Sequence, residues 1–138
     1  MPVSITCISL PVCLSHLQLI GYTLSMGEAQ PKHITMYATL TGHVPVEAWL
    51  AALRDRHARA RIRVRIDRLS LGNAGDAHAV GGGVWELRID HGPGYRVYYA
   101  QSGSELILLL CGGDKTTQTA DIALARAYWA DYQQRRRR

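Results

Sequence analysis

Phenylalanine is absent from the 138 residues, so Tyr and Trp supply the aromatic bulk of any core. Cysteine is scarce and odd in number: Cys7, Cys13 and Cys111 include no Cys-x-x-Cys pair. That argues against a disulfide framework and a cysteine zinc site, and fits the reducing cytosol. No charged side chain precedes Glu28. The start of the chain therefore lacks the basic region of a signal peptide. Pro11, Ser15, His16 and Gln18 interrupt the run of about 20 apolar residues that a membrane helix needs. The histidines His57, His78 and His91 stand apart with no carboxylate cluster, so no metal-ligand set is evident. No Gly-Lys-Ser/Thr follows the glycine-rich stretch 71–83, so it is not a phosphate-binding P-loop. Gly81-Gly82-Gly83 has no predicted strand before it, which excludes a dinucleotide fingerprint. No cofactor is expected.

What is present suits one domain with a modest core. The apolar fraction is 47% and the net charge is +5, with a pI near 9.4. A basic balance favours an acidic partner such as RNA, DNA or an acidic protein. Arg135 to Arg138 alone supply +4, and such a terminal run is expected to be a basic tail, residues 134–138. Residues 1–33 are interrupted by Pro2, Pro11 and Pro31. They are expected to be a poorly ordered extension, or translated sequence upstream of a natural start at Met26 or Met36. A start at Met36 is expected to leave the fold intact. The domain itself is placed at 34–133.

Ile34 to Leu40 reads as a strand that joins a sheet as an edge or neighbour. Val46, Trp49, Leu50 and Leu53 recur at helical spacing. Arg56 to Leu71 reads as a second helix with Ala58, Ile62, Ile66 and Leu69 as its apolar stripe, and Gly72 stops it. The two make a helical hairpin able to cover one sheet face. From Arg54 to Arg68 this segment carries seven Arg against two Asp. Arg59 and Arg63 flank the stripe on one side, and Arg61, Arg65 and Arg68 on the other. They are either a solvated face whose stems cover the core edge or a track for an RNA phosphate backbone. Residues 71–83 read as a loop. Thr119 to Tyr132 reads as a closing helix, with Ile122, Ala125, Trp129 and Tyr132 facing the core.

The densest signal lies between Val84 and Ile122. Residues 84–90 alternate, so Glu86, Arg88 and Asp90 share a face. A Gly-Pro-Gly turn follows, then a second alternating strand with Arg96 and Tyr98 on one side and Tyr95, Val97 and Tyr99 on the other. Leu106 to Cys111 is a continuous apolar run, as in a strand buried on both faces. Gly112-Gly113-Asp114-Lys115 ends it. Pairing in order would gather Glu86, Arg88, Arg96 and Lys115 in one region.

ELRIDHGPGYRVYY, followed by LLLCGGDKTTQTADI and preceded by RLSLGNAGDAHAVGGGV, resembles the HigB-type branch of the RelE/ParE toxin superfamily. The resemblance implies an α+β single domain. Its small, mostly antiparallel sheet of about four strands is packed with an N-terminal helical hairpin and a C-terminal helix. It implies a cytoplasmic type II toxin, a metal-free, ribosome-associated mRNA endoribonuclease that stops translation. The alternative is a ParE-like inhibitor of DNA gyrase without nuclease activity. It implies a small helix-turn-helix antitoxin of the HigA kind as partner, with mRNA and the ribosome as targets. In GYR, Arg96 is implied to stabilise the transition state. Arg88 stands where RelE has Lys, and Lys115 matches a basic position after the last strand. Glu86 is the carboxylate among them and a candidate base. Arg59, Arg61, Arg63 and Arg65 are the candidate RNA track. Tyr98 is the candidate base-stacking ring, because Tyr128 and Tyr132 lie too far along the last helix for that position.

Overall fold

The structure is a computed structural model, and it describes residues 30–138. The elements run β1 (His33–Met36), α1 (Pro45–Ala52), α2 (Arg56–Ser70), β2 (Ala77–Gly81), β3 (Val84–Ile89), β4 (Tyr95–Ser102), β5 (Leu106–Asp114) and α3 (Gln118–Arg137). A single turn of 3-10 helix, Lys115–Thr117, links β5 to α3. The five strands form one sheet in the order β1-β5-β4-β3-β2. From β2 to β5 the chain is an antiparallel meander. β1 adds parallel to β5, with Ile34 opposite Ile107 and Met36 opposite Leu109.

The α+β class with a helical pair and a C-terminal helix stands. The sheet has five strands and is mixed, where about four mostly antiparallel strands are expected from sequence. The extra strand is β2, inside the stretch that reads as a loop. It forms because Gly82 and Gly83 take φ +65° and +83° and close a two-residue hairpin whose twist suits the flanking strands. A strand therefore does precede the glycine run. α3 also continues past Tyr132 into the arginine run. Arg135 pairs with Asp131 at 2.6 Å and donates to the Ala38 carbonyl at 2.8 Å. A chain starting at Met36 would lose three of the four β1 residues paired to β5, so the expected dispensability of everything before Met36 is corrected. Residues 1–29, with Cys7 and Cys13, lie outside the described residues.

Alternation along the strands builds two cores. Leu87, Ile89, Val97, Tyr99, Ile107 and Leu109 face α1 and α2 and meet Val46, Leu50, Ile62, Ile66 and Leu69. Each such side chain contributes about 1.5–3 kcal/mol on burial. Val84, Tyr98, Ala100, Leu108, Leu110 and Cys111 face α3 and meet Ala125 and Trp129. An irregularity between Tyr98 and Tyr99 turns both Leu110 and Cys111 toward α3. Gly112 and Gly113 then let both layers close on β5. A Cβ on Gly112 would enter the Trp49 ring, and one on Gly113 would strike Asp121 and Thr117.

Candidate active site

α3 covers the second sheet face from Gln118 onward and leaves open the corner where β2, β3 and β4 start or end. At that corner the polar half of each strand alternation is gathered. Register sets Glu86 opposite Tyr98 and Arg88 opposite Arg96, with Arg96 opposite Gly113 of β5.

Glu86 is wholly buried and takes a bond on each side of both oxygens. Arg88 Nε donates to Oε1 at 2.8 Å, and Arg96 Nη1 donates to the same oxygen at 2.6 Å. Gln118 Nε2 donates to Oε2 at 2.8 Å, and the Tyr98 hydroxyl donates there at 3.2 Å. Burial pushes the Glu86 carboxyl up, but the bonds from Arg88 and Gln118 and the charge of Arg96 outweigh it. The net result lies below the usual carboxylate value, so Glu86 is an anion at neutral pH.

That arrangement changes two expectations. Glu86 has no lone pair left facing solvent, so it anchors cations and is not placed to take a substrate proton. Tyr98 lies on the Arg96 face as expected, but α3 covers it and its exposure is 0%, so it cannot stack a base. Burial and the Glu86 charge raise its hydroxyl pKa, which keeps it a donor.

The cations differ in reach. The Arg88 side chain is 41% exposed and is held by Nε alone, which leaves its terminal amino groups out of the Glu86 bond. Arg96 is 11% exposed, and its buried Nε has no partner among the described residues. Lys115 is exposed on the 3-10 turn. Asp114 caps that turn by accepting from the backbone amides of Thr116 at 2.8 Å and Thr117 at 3.3 Å. The turn abuts Gly94, so Lys115 and the Arg96 hairpin are adjacent. Arg88, Arg96, Asp76, Asp90 and Tyr95 line a concavity of about 210 Å3 there.

It opens beside a larger groove of about 500 Å3 between α2 and β3, with an apolar floor of Ala60, Val64 and Ile89 and a rim of Arg61, Arg65, Arg68 and Arg88. Arg61 and Arg63 are exposed and Arg59 is half-buried. Arg65 is already engaged, donating to the carbonyls of Ala74 at 3.0 Å and Arg88 at 3.4 Å. Arg59 and Arg63 lie across α2, against β1 and α1, away from the corner. The structure thus splits the expected RNA track in two, and only Arg61 and Arg65 border the Arg88 corner. Among the described residues, no group of three or more His, Cys, Asp or Glu is arranged to hold a metal ion.

A family model described as Phage derived protein Gp49-like (DUF891) matches residues 48–129, from within α1 to within α3. The chain belongs to the Gp49-like family. That family is part of the RelE/toxin-like superfamily, is often related to toxin–antitoxin systems and is associated with RNase-like toxins. An uncharacterized protein of Haemophilus influenzae is 50% identical over 80 residues, 58% of this chain and 81% of that protein. The match contains the whole β2–β5 meander, so the Glu86 corner lies within what defines this Gp49-like chain. Among the described residues, no helix is long and apolar enough to cross a membrane.

Sequence reasoning missed two parts of this site. Gln118 gave no signal, because its role depends on where α3 docks. Asp76 was hidden by reading 71–83 as a loop. The Gly82-Gly83 pair was the available clue, since a two-glycine spacer between short runs marks a hairpin.

Proposed function

We propose that this Gp49-like protein is the toxin of a type II toxin–antitoxin pair of the HigB kind and cleaves mRNA on the ribosome. The observation that carries the reading is the pair Arg88 and Arg96 held at one open corner by a buried carboxylate, with exposed Lys115 on the adjoining turn. Phosphodiester cleavage by the ribose 2′-hydroxyl builds negative charge on phosphate oxygens. Cations already held in place stabilise that charge without reorganising. Arg is suited to this work because its planar fork matches two phosphate oxygens. Arg88 presents its terminal amino groups to the scissile phosphate, and Lys115 approaches from the adjoining turn to neutralise the leaving 5′-oxygen. Arg61 and Arg68 extend the positive rim along the strand of RNA leading to the corner. A small antitoxin with an acidic segment covers that rim in the resting cell.

Induced expression followed by mapping of mRNA 5′ ends tests the reading. The expected result is new 5′-hydroxyl ends within translated messages, lost on Lys115→Ala, with growth restored by the neighbouring antitoxin gene. Intact mRNA with persistent gyrase–DNA cleavage complexes would overturn it in favour of gyrase inhibition.

A further inference from the structure

The Glu86 knot leaves the reaction without a base, and the structure offers one next to it. Cross-strand register sets His78 of β2 directly opposite Glu86, on the sheet face that α3 packs against, at the β2 edge. His78 Nε2 lies 2.7 Å from Asp76 Oδ1, and the two side chains are 50% and 57% exposed. Asp76 is held in turn, because its carbonyl accepts from the Arg88 amide at 2.9 Å. Asp76 also lines the same concavity as Arg88 and Arg96. The charged groups placed around His78 are Asp76, which it contacts, and Glu86, opposite it on β3; Arg126 of α3 bonds the Val80 carbonyl farther along β2.

We infer that His78 is the general base of the cleavage and that Asp76 is its positioning residue, an assignment that rests on the ribonuclease reading above. With Nε2–H directed at Asp76, Nδ1 carries the free lone pair. It takes the proton of the ribose 2′-hydroxyl as the 2′-oxygen bonds to phosphorus. The bond from phosphorus to the 5′-oxygen breaks, and that oxygen takes a proton from Lys115. The products are a 2′,3′-cyclic phosphate and a 5′-hydroxyl. Solvent returns the proton to Lys115 and removes the one on His78. Asp76 fixes the tautomer and steadies the imidazolium, as the third member of an acid–base triad does.

The test is the rate of cleavage of a ribosome-bound mRNA by the full chain, followed across pH. His78→Ala should fall by about 10²–10⁴ and lose the acid limb of the profile, with partial rescue by added imidazole. Asp76→Asn should fall less and shift that limb. Glu105→Gln, which changes an exposed carboxylate on the β4–β5 turn far from the concavity, should keep the wild-type profile. Folding is checked by circular dichroism. A folded His78→Ala protein with full rate and an unchanged acid limb would overturn the assignment, as would loss of that limb in Glu105→Gln. Those results leave the ribonuclease reading standing if Lys115→Ala is inactive. A wild-type protein that cleaves no RNA brings down both.

Discussion

Leu87 and Glu86 are neighbours on β3, both fully buried, and they face opposite sides of the sheet. On the Leu87 side, aliphatic groups from α1 and α2 close a dry layer whose only task is cohesion. On the Glu86 side, a buried anion is matched by two arginines, an amide and a phenol, and the layer stops short of the sheet corner. A buried carboxylate adds little net stability compared with an apolar residue of the same shape, yet removing its charge strands its partners. The difference teaches that one strand can carry stability on one face and poised charge on the other. Mutating either face should therefore destabilise the fold, but only one should change the chemistry of the molecules that remain folded.

The largest effect is expected from Glu86→Gln, which leaves the buried Arg96 without its anion and frees the half-exposed Arg88. It should cost roughly 3–5 kcal/mol in urea or thermal unfolding and lower the cleavage rate of the folded fraction. The same residue gives a pH signature. Its folded pKa is depressed, so its contribution is present above the ordinary carboxylate value of 4.5 and is lost as pH falls through the folded value. The stability gap between wild type and Glu86→Gln should narrow below that pH. A gap that stays constant through acid would separate Glu86 from its cations.

Leu87→Ala comes next. It opens a cavity in the aliphatic layer and should cost about 2–5 kcal/mol. Its folded fraction, read under native conditions, should cleave at the wild-type rate. A large rate loss there would show that the two faces are not independent. Tyr98→Phe sharpens the contrast at a finer scale. It removes one of four donors from Glu86 and should cost about 1 kcal/mol, with the ring still packed under α3.

How far these features were legible follows from what each depends on. The strands β3, β4 and β5 and the helices α1 and α2 were readable because apolar periodicity is a local property. The shared face of Glu86, Arg88, Arg96 and Tyr98 was readable for the same reason. Whether that face is covered was not, because it depends on the path of α3, and so Tyr98 looked available when it is buried. Arg65 looked like part of a phosphate track, but the 72–75 loop folds back to place the Ala74 carbonyl within its reach. β2 was obscured because small residues and glycine carry a weak strand signal, although its turn carried a strong one.

The most direct measurement is the single-turnover cleavage rate of purified Lys115→Ala beside its melting curve. Lys115 is exposed and outside the Glu86 knot, so its loss should change stability by no more than about 0.5 kcal/mol. The rate should fall by about 10²–10³, the cost of removing one group aimed at transition-state charge. A stable Lys115→Ala protein that cleaves as fast as wild type would contradict the claim that the open corner is where the chemistry occurs.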